Sequence, residues 1–388
     1  MQVTETQNKN GATLSRPAFQ YLVIIEPLGL LYGSAGPFLS PENLVGRSGQ
    51  KFPPAATALS GICAASLPPP KSEKLDDWSE EFRDLQLAGP FWGWDKNPQN
   101  FYVPTPFNCL VEDGKIKYQL KWRSPEKTAS EKETHPKRWL VDEDQLPDEK
   151  KDENPPVGKF TKGSWLAIDS WPDLNAGKMP PVETIPPWKF IPHLHPRLKE
   201  GERIVDQDSD RGSLFLENAV QLDSHACLVY LCNAKIKDGC YRFGGEGHLV
   251  ELRCEEIGET VRGLLDAPIE NSFALITPGI WGSNDYSYRA PRQNKQGELL
   301  WGNGAVEALL TERPTPLRHR RGSRAVGDNN PSARLSRGRY AVPPGSVYVL
   351  EKPLNLSWQN WPDEWFPKEG TTFKRWGSGL SLPLSVTS

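Results

Sequence analysis

Tyr21-Leu-Val-Ile-Ile25 is a continuous apolar run, and Pro53-Pro-Ala-Ala-Thr-Ala-Leu-Ser-Gly-Ile-Cys-Ala-Ala-Ser-Leu67 follows it across a loop. The first stretch reads as a central strand. A strand covered on both faces loses the polar alternation of a half-exposed one. The second reads as a helix, since proline is tolerated in a first turn and Pro68-Pro69-Pro70 ends it. Its residues are small, so it is expected to pack closely on a sheet. The connecting loop, Glu26 to Gln50, carries Gly29, Gly33, Gly36, Gly46 and Gly49. Strand, loop and helix in this order point to an α+β class.

The same order recurs downstream. Leu214 to Leu222 and Ala226 to Cys232 have strand composition. Tyr241-Arg-Phe243 and His248 to Arg253 flank a glycine turn, a strand–loop–strand signal. Gly258 to Asp266 fits a short helix, and Ser272 to Thr277 and Ser346 to Leu350 fit two more strands. Two α+β units follow, expected over 18–205 and 206–388, after a polar segment 1–17 expected to be disordered. The stretch 126–153 holds ten acidic and six basic residues, and 154–200 is dense in Pro and Trp with little periodicity. Residues 112–200 are therefore expected to form a long loop insertion in the first unit.

Composition narrows the class further. The chain has 388 residues, and only 37% are hydrophobic, yet it has 14 Trp, 14 Phe and 10 Tyr. Aromatic side chains must supply much of the core. With 33 Gly and 37 Pro, turns and irregular loops are expected in number. The N-terminal residues lack the apolar segment of a signal peptide. No apolar run reaches the roughly 18 residues of a membrane span. Six widely spaced cysteines do not make a disulfide scaffold and read as reduced thiols of a cytoplasmic protein.

The net charge of −3 argues against a uniformly basic nucleic-acid binder, but the charge is segregated. Residues 289–339 contain eleven Arg or Lys and four Asp or Glu, a net +7, which leaves −10 for the rest. Almost all of these cations are arginines, whose planar forks suit phosphate. Such a tract is the footprint of a polyanion partner, or of an acidic protein surface. The second candidate is Gly244-Gly-Glu-Gly247 with His248: three glycines in four residues allow a ligand backbone to approach, or simply make a tight turn.

Other chemistry finds less support. Asp206-Gln-Asp208-Ser-Asp210 with Glu217 has calcium-loop spacing, but Arg211 stands where glycine is needed. Cys227, Cys232, Cys240 and Cys254 lack paired metal-ligand spacing and read as core thiols. His193-Leu-His195, between Pro192 and Pro196, reads as a surface loop. No nucleophile elbow or zinc-protease motif is present. His248 and His319 are the two histidines placed where an acid/base for RNA cleavage could act.

Ile25-Glu-Pro-Leu-Gly-Leu-Leu-Tyr-Gly-Ser-Ala-Gly-Pro-Phe38 resembles the first strand and loop of the third, RAMP-type subunit of type III-B (Cmr) CRISPR effector complexes. Phe52 to Gly61 is similar to that family's first helix, and Phe101-Tyr-Val-Pro-Thr-Pro-Phe107 to its aromatic–proline strand. Arg211 to Leu216, Gly244 to Gly247, Leu275-Ile-Thr-Pro-Gly279 and Val342 to Tyr348 follow in the family's order. Trp376-Gly-Ser-Gly-Leu380 resembles its glycine-rich end. The order over roughly 20–382 is the specific signal, and 112–200 carries little of it. Tyr32-Gly33-Ser34 departs from the Arg-Asp pair common in the family.

The resemblance implies two ferredoxin-like (RRM-related) modules with long loop insertions, no nuclease activity and no cofactor. It implies binding of the repeat-derived 5′ handle of a crRNA. It implies contact with the large polymerase/cyclase-type subunit and the first backbone subunit. The residues assigned to RNA on this reading are Gly33, Ser34, Gly36, Arg47, Thr57, Ser60, Gly244, Gly245, Gly247, His248, Arg289, Arg292, Arg318, His319, Arg320, Arg321 and Arg324. A metal-independent repeat endoribonuclease and a protein-only scaffold are the competing readings.

Overall fold

The computed structural model describes residues 19–32, 52–66, 84–124, 136–148, 154–196, 198–199, 204–205, 213–244, 247–283, 285–318, 336–369 and 371–386. In chain order, β1 (Tyr21–Pro27) and β2 (Leu31–Tyr32) precede α1 (Ala56–Ser66). Next come β3 (Leu87–Trp94), β4 (Tyr102–Pro104), β5 (Cys109–Glu112), β6 (Lys115–Arg123), β7 (Arg138–Val141) and β8 (Trp165–Ala167). The short α2 (Trp171–Asn175) leads to β9 (Trp188–Pro196), β10 (Leu214–Leu222), β11 (Ala226–Cys232), β12 (Gly239–Phe243) and β13 (His248–Glu256). After α3 (Glu259–Asp266) lie β14 (Ser272–Leu275), β15 (Trp281–Gly282), β16 (Ser287–Tyr288), β17 (Arg292–Gln293) and β18 (Leu299–Trp301). The chain ends with β19 (Gly304–Leu310), β20 (Thr315–Leu317), β21 (Arg339–Ala341), β22 (Val347–Leu350), β23 (Lys368–Glu369), β24 (Thr371–Thr372) and β25 (Ser381–Pro383).

Two sheets organise the molecule, and the class is α+β. The first has the order β12-β13-β1-β11-β3-β4-β8, the second β17-β18-β19-β22-β14-β25. Their centres follow one rule. Numbered in chain order, β1, β3, β11 and β13 stand across the sheet in the order fourth, first, third, second (β13-β1-β11-β3), with every neighbouring pair antiparallel. So do β14, β19, β22 and β25. The strands of the first sheet come from both sides of residue 205, and the chain passes between the sheets at 257–271.

β1 is central for the reason its sequence gives. Leu22 to Ile25 are fully buried. Alternate side chains point to opposite faces, so Leu22 and Ile24 enter the main core while Val23 and Ile25 face a second one. α1 closes that second core with Ala56, Leu59, Ile62 and Cys63, against Leu228, Tyr230 and Leu252 of the sheet. The main core runs on into the second sheet, where large rings cluster among its aliphatic side chains. Trp301 lies 4.8–5.1 Å, centroid to centroid, from Tyr348, Phe273, Trp281 and Trp361.

The stretch 112–200 is not a loop insertion. It supplies most of the three-stranded sheet β5-β6-β7, adds β8 to the edge of the first sheet and contributes β9, the strand that pairs with β10. Leu166, Trp171 and Leu174 are fully buried in the main core. Trp171 Nε1–H donates to the Pro383 carbonyl (2.8 Å) and Trp122 N–H to that of Val386 (2.8 Å), which ties the stretch to the C-terminus. Its aromatics anchor individually rather than periodically, which hides them from a pattern search. His193 and His195 sit on a paired strand, not in a loop.

The glycine-rich end is also structural. Gly377 has φ +68°, and a Cβ there would lie 2.4 Å from that of Ala88 on β3. Thr277 Oγ1 donates to the Gly377 carbonyl and accepts from Leu380 N–H. The Gly379 N–H donates to the Pro278 carbonyl (2.9 Å). Residues 275–279 and 376–380 thus latch onto each other.

Candidate nucleic-acid interface

One end of the first sheet gathers several of the expected residues. Pro27 at the end of β1 pairs with Val250 near the start of β13, and the β12–β13 turn lies beside them. α1 begins toward this end, because the Cys63 thiol near its C-terminus hydrogen-bonds the Cys232 thiol, and Cys232 pairs with Tyr21 at the opposite end. The turn needs its glycines for backbone conformation: Gly244 has φ +74° and Gly247 φ +67°. Gly247 N–H donates to the Gly244 carbonyl (3.3 Å), and Arg242 Nη1 reaches the Gly247 carbonyl (3.4 Å). No atom stands within 4 Å of where a Gly244 Cβ would be, so the turn's outer side is open. Arg242 brings a cation to this turn, a residue the sequence reading passed over as an ordinary strand position.

Thr57 and Ser60 occupy the start of α1 and are partly buried. Ser60 Oγ–H donates to the Thr57 carbonyl (2.6 Å), so its proton serves the helix rather than a ligand. His248 is partly buried where β13 begins.

The basic tract sits on the second sheet's side. β20 and β21 pair as a ribbon, with Leu317 opposite Arg339. Arg318 Nε–H donates to the Ser336 carbonyl (2.7 Å) across the base of the segment they enclose. That contact gives Arg318 a structural duty the sequence did not reveal. Arg339, counted among the tract's cations, is withdrawn from it: the residue is 4% exposed and ion-paired to Glu369. Arg289 and Arg292 are exposed, beside β16 and on the edge strand β17. Gly33, Ser34, Gly36, Arg47, Gly245, His319, Arg320, Arg321 and Arg324 lie outside the described residues, as does 206–210.

The sheet faces themselves are closed. RRM-type recognition stacks bases on an open sheet face. Here Leu22, Ile24, Val229 and Leu231 are fully buried in the core shared with the second sheet, and α1 covers the other face. Among the described residues, the central strands of the first sheet therefore offer no open face to bases.

Among the described residues no cluster of three His, Cys, Asp or Glu could hold a metal, and no helix is long and apolar enough to cross a membrane. The six cysteines are unpaired thiols, and five are buried. An Asp–His pair does exist: His225 Nδ1 lies 3.1 Å from Asp95 Oδ2, and this hydrogen bond holds the Asp95 carboxyl below its usual range.

No curated protein matches the sequence. Solved structures offer remote likenesses. A chain of the type III-B Cmr-beta complex bound to cognate target RNA and AMPPnP is 10% identical, covering 84% of this chain and 86% of that one at a TM-score of 0.40. A chain of the Csm1–Csm4 cassette with AMPPNP is 11% identical, covering 95% and 99% at 0.34. A chain of the Csm3–Csm4 subcomplex of the type III-A interference complex is 12% identical, covering 87% and 99% at 0.35. Likeness at this distance says nothing about what the present chain binds. The family model is the decisive match, since it runs from β1 to the residues just past β25, residues 24–386: the chain belongs to the CRISPR-associated protein family Cas_Cmr3.

Proposed function

We propose that this chain is a non-catalytic subunit of a type III-B CRISPR ribonucleoprotein, acting in the cytoplasm in antiviral defence. It binds the repeat-derived 5′ handle of the crRNA and links the large polymerase/cyclase-type subunit to the first backbone subunit. Family membership over residues 24–386 carries this reading. Local geometry supports it: an open glycine turn on one sheet, and the exposed Arg289 and Arg292 on the side of the other, can hold a backbone at two places. The fourth-first-third-second order in both sheets supports reading each as a ferredoxin-like module, with α1 kept in the first. In the second, 3₁₀ turns occupy the chain between β22 and β25.

The test is crosslinking inside a reconstituted particle. Crosslinks from the handle to peptides around 244–247 and 289–339 are expected. Crosslinks to neighbouring proteins alone, with none to RNA, would replace this reading by a protein-only scaffold.

A further inference from the structure

Among the described residues, Tyr286 and Tyr340 are the two large aromatic side chains left exposed, at 67% and 61%. Both lie at one backbone junction. β15 and β16 form a hairpin whose turn is held by Ser283 Oγ, which accepts from the N–H groups of Asp285 and Tyr286 (both 3.1 Å). Ser287 Oγ, next to Tyr286, accepts from Tyr340 N–H (3.2 Å). Tyr340 in turn belongs to the β20–β21 ribbon, opposite Pro316. The backbone under each ring is fixed, and both rings are left in solvent.

Cations adjoin them along the sequence. Arg289 is exposed three residues beyond Tyr286. The β20–β21 ribbon encloses 319–335, a stretch with Arg320, Arg321, Arg324 and Arg334 and one acid, Asp328. The other large rings whose exposure is described are buried or partly buried, so leaving two in water next to the strongly basic tract of the sequence needs a ligand that rewards it. Single-stranded nucleic acid does: its bases stack on aromatic faces while arginines neutralise its phosphates.

We infer that Tyr286 and Tyr340 form a stacking platform for unpaired bases of single-stranded RNA, with Arg289 and Arg292 facing its phosphates. This rests on the RNA-handle reading above and names residues for it. Such a platform suits a chain whose central strands in the first sheet are buried on both faces.

The test uses the full chain and fluorescence anisotropy. The probes are a labelled single-stranded oligoadenylate, an abasic strand of equal length and an RNA duplex. The wild type should prefer the base-bearing strand over the abasic one. Tyr286→Ala with Tyr340→Ala should weaken oligoadenylate binding by at least about 5-fold, and by up to about 150-fold for each base that stacks. Binding of the abasic strand should stay unchanged. Tyr286→Phe with Tyr340→Phe should bind as wild type, because the ring and not the hydroxyl is needed. If the double alanine variant binds oligoadenylate as wild type does, or the wild type binds the abasic strand equally well, stacking is overturned while RNA binding stands. Failure of the wild type to bind any of the three probes overturns both.

Discussion

Arg339 and Glu369 form an ion pair inside the protein: Nη2 lies 3.3 Å from Oε1, and the two side chains are 3% and 10% exposed. The same guanidinium donates to the Ser283 carbonyl (2.8 Å) and lies 5.2 Å from the centre of the Phe373 ring. One cation thus joins β21, the turn beneath Tyr286 and the C-terminal segment. Removing one partner of a buried pair strands the other, at a cost of about 3–5 kcal/mol. Arg339→Ala should lower the unfolding free energy by that amount in a urea titration. The double replacement by Met and Leu should cost less than the two single changes together. A loss below about 1 kcal/mol would return Arg339 to the surface tract.

Gly377 and Ala88 make the second stability prediction. A methyl at 377 meets the Ala88 Cβ at 2.4 Å in a left-handed backbone conformation. The left-handed conformation costs a non-glycine residue about 1–2 kcal/mol, and overpacking about 1–3 kcal/mol more. Gly377→Ala should therefore destabilise by about 2–5 kcal/mol in thermal or urea unfolding. Adding Ala88→Gly should recover only part of the clash, because the same methyl also meets the Ala88 Cα at 2.6 Å and the Leu87 carbonyl oxygen at 2.8 Å.

Much of the fold is legible in the sequence. β10 and β11 span the expected residues, and β1, α1 and β13 fall within a few residues of theirs, because each buries an apolar run bounded by Gly, Pro or polar residues. The stretch 112–200 was not legible, since Trp171 and Leu174 bury alone within a Pro-rich segment that has no period. The expected break at 205 ignored pairing between distant strands: β11 and β13 complete a sheet begun at Tyr21. At the candidate interface composition located the basic tract. It could not tell Arg339 from its neighbours, because a buried partner 30 residues away leaves no local mark. Nor could it select two exposed tyrosines among 38 aromatics; only burial does that.

Thiol chemistry reads out the cores directly. Burial pushes the Cys227 thiol up to about 12 and the Cys254 thiol up to about 11, and raises that of Cys109 as well. A raised thiol holds little thiolate at neutral pH, and thiolate is the reactive form. Cys240 is the exposed one, on the edge strand β12. Iodoacetamide at pH 8 should modify Cys240 first in the native protein, with the other five reacting only on unfolding. Peptide mass spectrometry checks this, and rapid native labelling of Cys227 would contradict its place in the core.

The non-catalytic reading is tested with repeat RNA. Metal-independent cleavage needs an acid/base near the scissile 2′-hydroxyl. His248 is partly buried at the start of β13, and His225 is held by Asp95. The pure chain should leave repeat RNA intact in EDTA at pH 6 to 8. Cleavage would overturn the reading, and its loss in His225→Ala or His248→Ala would identify the base.

Salt dependence separates cations that face RNA from those that face protein. Each phosphate contact to a single strand adds about 0.7 to the slope of log affinity against log salt. Arg289→Ala with Arg292→Ala should reduce that slope by up to about 1.4 in filter binding of crRNA. Arg320→Ala with Arg321→Ala and Arg324→Ala should reduce it by up to about 2.1. Arg339→Ala, measured well below its melting temperature, should leave the slope unchanged because its guanidinium is committed to Glu369 and Ser283. An equal loss of slope from all three sets would mean that the tract acts through its total charge. No loss from the first two would assign the tract to an acidic protein neighbour, since a polyanion responds to the local potential those arginines create.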